Sequence, residues 1–236
     1  MIAPQSAHSV PAAPLRWGIW LIPVAGIIPA IVFTLWMVGP NPNIDTDPKG
    51  AADAATSVLG LGGGIVYLLA TIALVFGLFA LYAWLAGGRM GTMALAGLVL
   101  SVLSVGLLLA AYGAFTLASA VAADVYRSGD AGASGVLAKL SGGNFGRAIL
   151  ATLIAAIIVG LLGAVANGVA IWRSGTLPRW SGVLFALGFV LLVGSAPIVS
   201  QLGGILLLVG GGWIARTIGQ GGETATQTTQ AAVSPI

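Results

Sequence analysis

The sequence predicts an all-α polytopic membrane protein, a bundle of six transmembrane helices. Three observations lead there. Charged residues make up 6% of 236 positions, against roughly 25% in a soluble domain, too few for a polar shell. Apolar residues reach 58%, with a mean hydropathy of +1.05. Apolar runs of about 20 residues, the length a helix needs to cross a hydrocarbon core of about 30 Å, recur between isolated arginines and tryptophans.

Residues 1–16, "MIAPQSAHSVPAAPLR", are rich in Pro, Ser and Ala and read as a disordered N-terminal tail. The run after Arg16 outlasts the roughly 7–15 residues of a signal-peptide core, so an uncleaved first span is expected over 17–38. Pro23 and Pro29 predict a kink in it. Residues 39–57, with three prolines and three aspartates, read as a solvated loop. The second span is expected at 58–86. The third, 93–123, exceeds a bilayer core and projects as far as Asp124–Arg127. A second loop covers 124–147, where "GVLAKL" (135–140) suggests a short interfacial helix. The fourth span is expected at 147–172.

The last apolar region holds no charge from Gly182 to Ala215. One helix of that length would measure about 50 Å, too long for a single crossing. "GSAPIVSQLGG" (194–204) supplies the break through Pro197, with Ser200 and Gln201 as the polar residues of an interface. Spans at 181–197 and 200–216 follow, five spans with a re-entrant segment being the alternative. The transmembrane domain is thus 17–217, and 218–236 reads as a disordered C-terminal tail.

Orientation follows from the basic residues. With a cytoplasmic N-terminus, Arg16, Arg89, Arg173, Arg179 and Arg216 lie inside, in short loops, and Lys49, Arg127, Lys139 and Arg147 outside. Trp17, Trp20, Trp84, Trp172, Trp180 and Trp213 then mark one interface and Trp36 the other, since indole settles at headgroup level. "WRSGTLPRW" becomes a cytoplasmic turn, reversed by Gly175 and Pro178. The expected location is the bacterial plasma membrane, with both termini cytoplasmic.

Inside lipid, small residues let helix backbones approach. One ladder at i+4 spacing runs Gly106, Ala110, Ala114, Ala118 and Ala122. A second runs Thr152, Ala156, Gly160, Ala164 and Gly168. The expectation is that spans three and four pack through these stripes. Residues 68–88 and 149–172 share a spacing and a late Trp, which suggests a duplicated hairpin.

Candidate chemistry is sparse. The absence of cysteine excludes disulfides and thiolate chemistry, and His8 lies in the tail. "GLGGG" (60–64) lacks the sixth glycine of a dinucleotide fingerprint and has no Gly-Lys-Ser/Thr, so it reads as a helix start or a packing patch, as does "GGGW" (210–213). Asp45, Asp47 and Asp53 lack the further ligands of a calcium loop. No span carries a central ionised residue, the usual mark of ion paths and proton relays. Asn167 faces either a partner helix or a small hydrated pocket. Arg173 and Arg179 serve topology or hold an anionic lipid headgroup. No metal or cofactor is implied, and basic residues scattered singly exclude nucleic acid as a partner.

"SGTLPRWSGVLFALG" (174–188) resembles a turn found in small uncharacterised bacterial six-helix membrane protein families, which implies a bacterial multi-pass protein and carries over nothing about mechanism. The expectation for function is a non-catalytic structural, accessory or regulatory membrane component, contacting lipids and other membrane proteins through small-residue faces. The alternative is a carrier or channel for a small neutral or apolar solute near Asn167.

Overall fold

The computed structural model describes residues 17–39, 42, 46–86, 90–130, 135, 139–140, 143–193 and 197–233, the backbone alone at 197 and 221–233. Regular structure among the described residues is entirely helical: α1 (Leu21–Val38), α2 (Pro48–Thr56), a π-helical turn (Val58–Gly62) running into α3 (Gly63–Ala86), α4 (Gly91–Arg127), α5 (Asn144–Ser174), α6 (Arg179–Val193) and α7 (Pro197–Val233). The N-terminal tail, Arg16, Arg89 and residues 136–138 of "GVLAKL" lie outside the described residues.

Five segments are long and apolar enough to cross a membrane: Trp17–Val38, Val58–Ala86, Gly91–Arg127, Asn144–Ser174 and Ile198–Gln220. The chain is therefore a multi-pass bundle of apolar helices with five crossings by length. The sixth expected span, α6, has 15 residues, about 22 Å of helix against a core of about 30 Å.

The outward surface is what sets this bundle apart from a soluble one. Leu69 and Phe76 on α3, Leu117 and Val121 on α4, and Leu150 and Ile158 on α5 are each more than half exposed. A helix at a water surface turns a polar face there; here both faces are apolar, the pattern of helices solvated by lipid.

Close approaches between helices give the topology. Gly77 of α3 meets Ile22, and Gly63 meets Trp36, so α1 and α3 run antiparallel. Tyr67 of α3 stacks edge-on to Tyr112 of α4 at 5.3 Å, and Gly64 faces Thr116. Gly97 lies against Asn167 and Ser104 against Gly160, making α4 and α5 antiparallel. Gly168 packs on Ala186 and Gly160 near Phe189, which sets α6 against α5; Gly188 on Leu207 and Gly203 on Leu192 set α7 against α6. Gly26 on Gly204 and Gly211 on Ile22 bring α7 back to α1.

Each long helix thus packs against its neighbours in sequence, and the last closes on the first. Lesser contacts of α1 with α6 and of α3 with α5 flatten the ring across its middle. That middle is filled by Ile22, Leu78, Leu81, Phe185, Phe189 and Leu207, all essentially inaccessible.

The loop expected at 39–57 is partly helical. Asp47 Oδ1 accepts the Gly50 N–H at 2.9 Å, Pro48 occupies the first turn, and an alanine-rich stretch follows. That is the N-cap and first-turn signature of a helix start, and it outweighs the loop composition. Ala52 is fully buried because α2 packs on the projecting end of α4. There Arg127 Nη2 and Asp53 Oδ1 form an exposed ion pair at 2.8 Å.

Candidate functional site

The polar contacts inside the bundle concentrate on the seam between α4 and α5. Asn167, 3% exposed, donates from Nδ2 to Ser101 Oγ at 3.0 Å. One turn on, Ser104 Oγ donates to the Ala156 carbonyl at 2.7 Å. Gly97 has no side chain because a Cβ there would collide with Asn167 Oδ1. The amide therefore sits in a fitted slot between two helices, hydrogen-bonded across it. In lipid such bonds contribute about 0.6 kcal/mol each.

On α5, Ala156 and Ala164 are fully buried. A Cβ on Gly160 would lie 2.6 Å from Ser104 Oγ. Gly168 faces α6 instead, 3.0 Å from the Ala186 methyl by the same measure. The other ladder does not meet it. Gly106, Ala110 and Ala114 are exposed on the outward face of α4, and a Cβ on Gly106 would meet nothing within 4 Å. The α4 surface that joins α5 is Gly97, Ser101 and Ser104, offset from the expected stripe by part of a turn. The two small-residue faces of α4 are told apart by which one carries serines for the neighbour, a signal present in the sequence.

Helix α7 carries two closely packed glycine doublets, Gly203-Gly204 and Gly210-Gly211, seven residues apart. A Cβ on Gly203 would strike Leu192 N, and one on Gly210 would lie 2.8 Å from Phe185 N, both on α6. A Cβ on Gly204 would strike the Gly26 carbonyl, and one on Gly211 would lie 2.6 Å from the Ile22 side chain, both on α1. One member of each doublet serves each neighbour, so α7 wedges between two helices at backbone distance. "GGGW" is part of this wedge. "GLGGG" is a packing patch of the same kind: Gly60 abuts the Ala54 carbonyl, Gly63 the Trp36 indole and Gly64 Thr116. Trp36 Nε1 also donates to the Leu59 carbonyl at 2.9 Å, across the π-turn.

The turn after α5 brings Arg173 and Arg179 together. Gly175 takes a left-handed φ of +70°, open to glycine at no steric cost. Ser174 Oγ accepts the N–H groups of Thr176 at 3.3 Å and Leu177 at 3.4 Å, and Leu177 is buried. Trp172 and Trp180 meet edge to face at 5.8 Å. Both arginines are exposed and line one open cavity of about 430 Å³ with Met90, Trp172 and Gly175.

Of the carboxylates, Asp47 caps α2 and Asp53 pairs with Arg127; Asp45 lies outside the described residues. The duplicated hairpin finds no echo in length: the second arms, α4 and α6, have 37 and 15 residues. Comparison with known proteins finds no matching family model, curated protein or solved structure.

Proposed function

We propose that the protein is a non-catalytic accessory component of the bacterial plasma membrane, acting by contact with a partner's transmembrane helix along the outward face of α4. One observation carries this reading: Gly106, Ala110 and Ala114 form a small-residue stripe at helix-packing spacing that no other helix among the described residues covers. On the α4–α5 seam the corresponding places are filled, Gly160 by Ser104 and Gly97 by Asn167. Close backbone approach is what holds helices together in lipid, so an open stripe between bulkier Leu103 and Leu117 is shaped for one more helix.

Six crossings, with both termini cytoplasmic, belong to the same proposal. The full-length antiparallel register of α6 on α7 supports passage of the short helix, with local thinning of the bilayer making up its missing length. Trp20 and Trp213 share one groove with Arg216, and Trp172 and Trp180 flank the arginine-bearing turn at the same end, as expected of the inner interface. The carrier alternative is weakened at Asn167, whose amide is spent on Ser101 in a slot matched to Gly97.

The test is co-purification in a mild detergent, comparing the wild-type chain with Gly106→Leu at equal yield. A membrane protein recovered with the first and lost with the second is the expected result. The same proteins recovered with both would dismiss the stripe as a docking face.

A further inference from the structure

A second outward feature lies at the α5–α6 hairpin, away from the α4 stripe. Below the two-arginine cavity, an apolar groove of about 280 Å³ runs between α5 and α6, lined by Val165, Gly168, Val169, Val183, Ala186 and Leu187. Trp172 and Gly182 close its upper part, and Trp172 lines both the groove and the cavity above. The two spaces form one track, charged at the end of the bundle and apolar toward its middle.

The chemistry of the track is asymmetric in a definite way. Among the described residues, neither Arg173 nor Arg179 has an ion-pair or hydrogen-bond partner. The described carboxylates, Asp47, Asp53, Asp124 and Asp130, all lie at the opposite end, on or before α2 and at or beyond the end of α4. Two guanidinium groups with no counter-charge among the described side chains, held at the mouth by a buried Leu177 and a left-handed Gly175, present fork-shaped donors suited to phosphate oxygens. Gly168 and Gly182 bring α5 and α6 to backbone contact, a Cβ on Gly168 lying 3.2 Å from the Gly182 carbonyl and one on Gly182 2.9 Å from the Gly168 carbonyl, and the groove runs beside that contact. A ligand that fits both parts has an anionic phosphate head and a hydrocarbon tail.

We infer that this track is a binding site for one anionic glycerophospholipid, its phosphate between Arg173 and Arg179 and an acyl chain in the α5–α6 groove. Trp172 and Trp180 flank the glycerol level, where an indole is half wet. Binding there clamps the short α6 against α5 at the end where the bilayer must thin to meet it.

The probe is phosphatidylglycerol titrated onto the purified full-length protein in a mild detergent, with retained lipid counted by native mass spectrometry. Phosphatidylcholine and soluble glycerol phosphate are the comparisons. The wild-type protein is expected to retain one phosphatidylglycerol at a concentration at least tenfold below that for phosphatidylcholine. Arg173→Gln with Arg179→Gln should erase that tenfold preference. Val165→Trp, at a position 54% exposed, should fill the groove and weaken retention of both lipids with no change in thermal stability. Arg216→Gln, removing an exposed arginine at the same end, should leave the preference intact. The site is overturned if the double variant keeps the preference, or if Arg216→Gln removes it equally, which would reduce the effect to net charge. Displacement of the lipid by millimolar glycerol phosphate would overturn it too, as a site for free anions.

Discussion

Replacing Gly160 and Gly106 by leucine separates the two small-residue faces most sharply. The residues are both glycines in long apolar helices, so propensity and hydrophobicity change alike. Their surroundings differ. At Gly160 the first added carbon would stand 2.6 Å from Ser104 Oγ and 3.5 Å from the Phe189 ring, and three more carbons must follow it. Ser104 cannot swing away without giving up the Ala156 carbonyl, its 2.7 Å partner. Overpacking of this kind costs about 1–3 kcal/mol, and the lost interhelical bond adds about 0.6 kcal/mol, for a total of about 2–4 kcal/mol. At Gly106 the same side chain enters open space, and the change should stay within about 0.5 kcal/mol. Reversible unfolding in mixed micelles, titrated with a denaturing detergent, measures both. Equal destabilisation of the two variants, or a Gly160→Leu protein as stable as the wild type, would refute the assignment of α4's inner and outer faces.

Other consequences concern separate parts of the bundle. Asn167→Ala and Ser101→Ala, combined in a double-mutant cycle in the same unfolding assay, should show a coupling of about 0.6 kcal/mol, and not above about 1.7 kcal/mol. Gly203→Leu should prevent α6 from docking on α7 and abolish a monodisperse gel-filtration peak, whereas Gly212→Leu, with open space at its Cβ, should leave the peak unchanged. Gly175→Ala places a β-carbon at a φ of +70° and should cost about 1–2 kcal/mol by thermal unfolding. Asp47→Ala removes the α2 cap and should cost about 0.5–2 kcal/mol, read as faster amide exchange over residues 48–56 with the exchange of α4 unchanged.

The long helices were readable from length and apolarity because lipid demands both, and nothing in the chain competes with that demand. The turn at 174–178 was readable for a related reason: Gly175 and Pro178 are local conformational facts, independent of what packs nearby. Face assignment was not readable to the same degree. Gly106 and Gly160 look alike in sequence; what distinguishes them is the rotation of α4, set by Ser101 and Ser104 bonding across the seam to α5. A period-four pattern says which residues share a stripe, and the stripe's direction comes from a neighbour. Helix α2 was hidden by its composition of Pro, Asp and Gly, although the Asp47-Pro48 start followed by alanines carried the signal. The glycine doublets of α7 were visible as letters, but their division of labour between α1 and α6 requires knowing that the ring closes.

The central claim is that the chain threads the bilayer in consecutive antiparallel passes, the short α6 included. A chain without cysteine allows single-cysteine labelling from either side of sealed vesicles with a membrane-impermeant maleimide. The account predicts that Thr176→Cys reacts from one side and that Ser128→Cys and Ile198→Cys both react from the other. Labelling of Ile198→Cys on the same side as Thr176→Cys would contradict it, leaving α6 as a re-entrant segment and the bundle with an odd number of crossings.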